Sequence, residues 1–373
     1  MYKKVVVFIC EMDHPFDTNS LQSGLGGAET WILNIAFRFM DQNYHVLIFN
    51  QNNYSYYQLN GLEIYPISNL KEISSYVYFE HVFISRYYNP KILEIFKKNH
   101  NVHNIYYVVH DIRLWKDLSN NIDNLNSSLL YSDFKDDEWI SKHLHKIFYM
   151  SDWHVQTNQF CEFPENLIDV IGNGINLPTI DPMIDRDDNI LWSSCIERGL
   201  DNILIDKIMP RIHKKLPNIK IYLASYNPLP ELKYDNLGYI IPLGSLSKDQ
   251  LYQEMQKHKI SFLPLSLWET FCITSIESIS NGMEFISPFK YGLTTTFKYF
   301  KEWFLKDGDF DNPEYCQYVA DYIVDKIERY NSPESNTKRN ILREYIKDNY
   351  SWEKIFDKLY NTIKVYETSN CNN

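Results

Sequence analysis

Ile260-Ser-Phe-Leu-Pro-Leu-Ser-Leu-Trp-Glu-Thr-Phe-Cys-Ile-Thr-Ser-Ile-Glu277 passes from an apolar run through a polar loop into a helix start. The run Ile260–Pro264 is bounded by loop residues, as a buried strand is, and Thr274-Ser-Ile-Glu277 has the T-x-x-E form of a helix capping box. Gly282 is expected to end the helix, with a second strand over Met283–Ser287. Strand, loop, helix and strand in that order make half of a wound α/β unit. The loop carries Glu269 and the helix Glu277. Backbone N–H groups over Phe271, Cys272, Ile273, Thr274 and Ser275 would face whatever lies beyond the helix start, and an anion suits them. Taken alone, the segment is also what an ordinary capped helix and a solvated loop carboxylate look like.

Outward from this segment the alternation repeats. Upstream, strands are expected at Val5–Cys10, Val46–Asn50, Leu62–Pro66, His81–Ser85, Asn104–Val109, Ile147–Met150 and Leu167–Ile171, with helices over Ala28–Met40 and Lys91–Lys98. The stretch Pro178–Asp188 is rich in aspartate and poor in sustained apolar positions, so it reads as a linker. Beyond it come strands Ile190–Ser193, Ile219–Ala224 and Tyr239–Pro242, and helices near Leu200–Leu216 and over Lys248–His258. Leu200, Leu204, Ile208, Ile212 and Leu216 lie on one i+4 ridge, which Pro210 is expected to kink or split. Ser351 can cap a last helix from Trp352 to about Tyr366. The fold class is α/β, with two Rossmann-like doubly wound domains facing across a cleft.

Composition narrows the function classes. At 373 residues the chain suits two domains, and its formal net charge of −11, with basic residues scattered, argues against nucleic-acid binding. The six cysteines show no C-x-x-C spacing, which points to a reducing compartment and no structural zinc. Val5–Cys10 is too short for a signal peptide and ends in Glu11-Met-Asp13, so it reads as a first buried strand. No run is long enough to span a membrane, although a peripheral contact would need no spanning helix. These features place the protein in the cytoplasm, free or peripheral to a membrane or a viral factory. Asp185-Arg-Asp187 has the D-x-D form of some metal sites, but it falls in the linker and reads as solvated charge, so no metal is expected.

Further motifs stand at the expected strand ends. Gly26 and Gly27 lack Cβ atoms, which lets backbone N–H groups approach a phosphate at a helix start; an ordinary flexible turn is the alternative. Arg198 offers a cationic fork suited to a diphosphate, and as a solvated charge at a helix start it would be slightly unfavourable. Gly26-Gly-Ala-Glu29, Val108-Val-His-Asp111, Gly172-Asn-Gly-Ile-Asn176, Glu197-Arg-Gly-Leu200 and the Glu269/Glu277 pair occur in the order seen in retaining glycosyltransferases of the GT-B fold. The chain resembles glycosyltransferase family 4 nearly end to end, Tyr350-Ser-Trp-Glu353 included.

The resemblance implies an acceptor-side domain over 1–177, a linker over 178–188, a donor-side domain over 189–345, a helix over 346–367 that crosses back to the first domain, and a tail over 368–373. It implies transfer of a hexose-type sugar from a nucleoside-diphosphate sugar, UDP- or GDP-linked, to a glycan, lipid or protein acceptor, with no other cofactor. Glu269 and His110 would act at the sugar, Glu277 at the ribose, and Gly26, Gly27, Arg198 and Phe271–Thr274 at the rest of the donor. Arg86, Asp13 and His14 would serve the acceptor. Front-face attack and a short-lived covalent intermediate both stay open. So do other chemistries of the same fold, such as phosphorolysis or epimerisation, and non-catalytic binding. Where the family carries an arginine five positions before the residue matching Arg198, this chain has Ser193, and Thr270 and Cys272 replace two glycines after Glu269.

Overall fold

The computed structural model describes residues 3–11, 15–22, 24–51, 57–86, 89–99, 101–112, 138–158, 163–180, 184–225 and 237–368. The chain divides into two compact units. One comprises Met1–Ser20, Gly26–Asn173 and Trp352–Asn373, the other Leu21–Leu25 and Gly174–Ser351.

The described residues of the first unit form eight strands: β1 Val5–Cys10, β2 His45–Asn50, β3 Tyr57–Leu59, β4 Leu62–Pro66, β5 Phe79–Ser85, β6 Val102–Val109, β7 Leu144–Tyr149 and β8 Ile168–Val170. They are ordered β3-β4-β2-β1-β5-β6-β7-β8, parallel except where β3 runs against β4. The central strands are apolar on both faces, as strands covered on both sides must be. Register sets Phe8 opposite Phe83 and Phe83 opposite Tyr106, so three rings stack across β1, β5 and β6 with centroids 5.1 and 4.9 Å apart. Each such pair adds about 1 kcal/mol beyond the area it buries.

Helix α1, Gly27–Asp41, buries Trp31, Ile32, Ile35 and Phe39. Helix α2, Pro90–Asn99, buries Ile92, Leu93 and Phe96. The strands begin earlier than their apolar runs do, because polar side chains inside the sheet find partners. His81 and Asn104 are both fully buried and lie 3.3 Å apart, which lets β5 and β6 extend below them.

In the second unit β9 Asp187–Trp192, β10 Ile221–Ala224, β11 Ile240–Gly244, β12 His258–Phe262 and β13 Glu284–Ile286 form a parallel sheet, ordered β11-β10-β9-β12-β13. Its numbered helices are α3 Lys248–Lys257, α4 Ile273–Ser280, α5 Pro313–Glu328 and α6 Pro333–Tyr350. The ridge beginning at Leu200 is a π-helix over Leu200–Ile208 followed by an α-helical turn, Met209–Ile212. Pro210 has no N–H and its ring crowds the carbonyl one turn back, so the preceding turn widens rather than kinks.

The linker reading needs correction at its end. Asp187 and Asp188 already belong to β9, and Arg186 is not solvated: its guanidinium donates to the carbonyls of Met255, His258 and Asn281. Helix α7, Trp352–Thr368, belongs to the first unit. It buries Trp352, Ile355, Phe356, Leu359 and Ile363, packs Phe356 edge-on to Phe39 at 5.1 Å, and joins Glu353 to Arg38 at 2.7 Å.

Candidate functional site

The loop after β12 in the second unit is held at both ends by strained backbone. Leu265 and Cys272 take φ of +52° and +72°, the left-handed region that disfavours side chains. Between them the Gly292 N–H donates to the Glu269 carbonyl at 2.9 Å, and a Cβ on Gly292 would lie 2.6 Å from the Thr270 carbonyl oxygen. Thr296 donates to the Phe271 carbonyl at 3.2 Å, and the buried Phe271 ring meets Tyr350 edge-on. These contacts fix the backbone around Glu269, while Leu267 and Trp268 stay half exposed.

The Glu269 carboxylate forms an ion pair with Arg198. Arg198 ends a short 3-10 turn, and Gly199 follows with φ +109°. A Cβ there would meet the Pro264 ring at 2.6 Å, so glycine lets the Arg198 turn press against the end of β12. The strand ends thus bring together two residues that lie 71 positions apart in the sequence.

Helix α4 does not use the capping box. Its N-cap is Cys272, with no side-chain cap, and Thr274 and Glu277 lie inside the helix. Glu277 stands in the second turn, too far along to reach back to the N-cap. It is 4% exposed, and it meets Lys248 Nζ at 2.6 Å and the Tyr252 hydroxyl at 3.4 Å. The reciprocal box is at α3, between Ser247 and Gln250. Burial pushes the Cys272 thiol up to about 11 despite nearby Arg198, so it is protonated at neutral pH. The Ile273 and Thr274 N–H groups open α4 with no earlier helical carbonyl to bind.

In the first unit the carboxyl ends of β1, β5 and β6 gather Cys10, Ser85, Arg86, His110 and Asp111 beside the start of α1. Arg86, at φ +75°, donates to Glu29 at 2.9 Å and to both Asp111 oxygens at 3.0 Å. A Cβ on Gly26 would lie 2.5 Å from Glu29 Oε2, so the space a side chain would take there is filled by the folded-back Glu29 carboxylate, whereas the space around Gly27 is open. His110 packs edge-on to Trp31 at 5.5 Å. Burial, with Arg86 and His154 beside it, holds its imidazole well below the usual range and therefore neutral. His154, also pushed down by burial, to about 4, accepts from the Met150 N–H at 3.3 Å, and Asn158 donates to the Ile112 carbonyl at 2.9 Å. Asp13 and His14 lie outside the described residues.

No protein-family model matches the sequence, nor does any curated protein sequence. Solved structures do match in shape. Sucrose-phosphate synthase from Thermosynechococcus elongatus superimposes with a TM-score of 0.73 at 12% identity, over 99% of this chain and all of that one. A glycosyltransferase from Rickettsia africae gives 0.69 at 14% identity, over 99% of each chain. Anabaena HepE in complex with UDP-glucose gives 0.67 at 13% identity, over 97% of this chain and 99% of that one. The fold is GT-B.

In this GT-B chain the described residues among those expected fall at strand ends, in the loop after β12 and in the opening turns of α1 and α4. The sequence alone assigned no role to Glu29, His154, Asn158, Lys248 or Gly292. Glu29 carried a signal, since an acidic residue in a first helical turn is a common N-terminal partner. The serine and glutamine around Lys248 also spell a capping box. Gly292 gave none, because its need for glycine arises from a loop over twenty residues away. Among the described residues of the GT-B chain, no helix is long and apolar enough to cross a membrane.

Proposed function

We propose that the protein is a retaining, metal-independent glycosyltransferase of the family 4 kind, moving a hexose-type sugar from a nucleoside-diphosphate sugar to a glycan, lipid or protein acceptor. The observation that carries this reading is the start of α4, where Arg198 and its partner Glu269 stand beside the helix N-terminus and Glu277 follows one turn in. The GT-B fold supports it, as do HepE structures solved with UDP and with UDP-glucose.

On this reading the Ile273 and Thr274 amides and Arg198 stabilise charge on the departing diphosphate. Glu277 accepts from the ribose hydroxyls and Glu269 from those of the transferred sugar. Neutral His110 offers the sugar a ring nitrogen without adding charge. The bond from the anomeric carbon to the diphosphate oxygen breaks with its electron pair on oxygen, and the acceptor oxygen bonds to that carbon on the same face. The acceptor hydroxyl proton passes to the released diphosphate. The first unit would serve the acceptor and the second the donor, with Gly27 rather than the crowded Gly26 leaving room for a ligand.

The test is a panel of UDP-, GDP-, ADP- and dTDP-sugars with broad acceptors, read by product NMR for transfer and anomeric configuration. Arg198→Ala and Glu269→Gln should each lower kcat by about a hundredfold or more, the scale of losing one preorganised charge partner. Undiminished transfer in both variants, or an inverted product, overturns the assignment.

A further inference from the structure

We infer that Lys248 is a phosphate-binding residue of the donor site and sets how tightly that site holds a nucleoside diphosphate; the inference rests on the donor reading above. Lys248 is the first residue of α3, and its backbone is fixed by capping bonds of 3.2 Å from the Gln250 N–H to Ser247 Oγ and 3.0 Å from the Ser247 N–H to Gln250 Oε1. A cation in the first turn opposes the helix dipole, so the stability of α3 gives no reason for a lysine there. The side chain instead reaches across to α4 and sets Nζ 2.6 Å from Glu277 Oε1 while remaining 28% exposed. A lysine that only neutralised a buried carboxylate would have little need of that exposure.

Charge on this face points the same way. Arg198 is paired with Glu269 and Lys248 with Glu277, so two cations and two carboxylates cancel. A nucleoside diphosphate adds more negative charge than Arg198, already shared with Glu269, can balance. Cys272, the N-cap of α4, feels both Arg198 and Glu277, so both ion pairs lie near the helix start. Glu277 stands four residues after Ile273, about 6 Å along the axis. That span is within the swing of lysine's flexible four-carbon stem. Lys248 Nζ can therefore turn from Glu277 toward a phosphate oxygen at the α4 N-terminus, leaving Glu277 to Tyr252 and the ribose hydroxyls.

The experiment is calorimetric titration of the full chain with UDP, GDP, ADP and dTDP, each beside its parent nucleoside, for the unaltered protein, Lys248→Gln and Lys248→Arg. Lys248→Gln should weaken the preferred diphosphate roughly tenfold or more and leave its nucleoside within about twofold, with Lys248→Arg restoring most of the loss; a buried or hydrogen-bonded charge pair is worth this much. Equal weakening of diphosphate and nucleoside would show that Lys248 acts only through Glu277, and unchanged diphosphate binding would show that it takes no part; either result overturns the inference alone. If the unaltered protein binds no nucleoside diphosphate, the donor reading falls and this inference falls with it. Matching thermal unfolding of the three proteins confirms that each is folded.

Discussion

At Cys272 the backbone is left-handed, φ +72° and ψ +67°, in a residue that has a side chain. An L-residue with a Cβ gives up about 1–2 kcal/mol there, and glycine does not. The buried thiol partly offsets that strain, so the comparison that isolates it is between two variants that both lose the sulfur. Cys272→Gly should be more stable than Cys272→Ala by about 1 kcal/mol in urea unfolding, although glycine is ordinarily the less stable of the two in a helix or strand. The opposite order would mean that the left-handed turn is not kept in solution. The same residue shows where sequence reading stopped. Arg198, Glu269 and Glu277 could be picked out as candidates by their chemistry, but neither the ion pair that joins Arg198 to Glu269 nor the absence of the expected Thr274–Glu277 capping box was legible, since only the conformation at Cys272 decides where α4 begins. Gly26 was picked out for its missing Cβ, yet what fills that space is the Glu29 carboxylate.

Among the elements, α3 and α4 are tied together at both ends. Lys248 and Glu277 join them at one side, and Arg186 closes the other by donating to Met255, His258 and Asn281, all in or just past the last turns of the two helices. A cation at two helix C-termini also suits both dipoles. Arg186→Met keeps the aliphatic stem and removes the donors, so it should cost about 2 kcal/mol in denaturant unfolding, the penalty for leaving buried carbonyls unmet. A loss below about 0.5 kcal/mol would show that water replaces the guanidinium. Nothing in Asp185-Arg-Asp187 distinguishes this arginine from a solvated one, because the carbonyls it serves come from segments about 70 and 95 positions downstream. The strands themselves were easier to foresee: long apolar runs separated by amphipathic helices specify parallel sheets, and among the described residues only the short antiparallel β3 escaped notice, whereas the order of the strands in each sheet was not legible.

For the whole molecule, buried histidines set the response to acid. His110 and His154 are neutral in the fold, His154 with its pKa pushed down to about 4, whereas an unfolded histidine titrates near 6.5. The unfolded chain therefore binds more protons between those values. Their stabilising contribution is fully present above about pH 6.5 and is lost as pH falls toward and through the folded values. His154 alone should cost about 2 kcal/mol between pH 7.5 and pH 5, measured as the change in unfolding free energy. His154→Gln should flatten that dependence whatever its own stability, and an unchanged slope would place the imidazole in contact with solvent.

Helix α7 adds a consequence that belongs to synthesis rather than to the finished protein. It completes the first unit, yet it is translated only after Gly174–Ser351. At ordinary translation rates the ribosome needs roughly ten to forty seconds to cover that interval. During that time the first unit's sheet and α1 are already made, but the apolar surface that Phe356, Leu359 and Ile363 will cover is still bare. The nascent chain is therefore expected to finish its second unit before its first, and to engage chaperones through the half that emerged earliest.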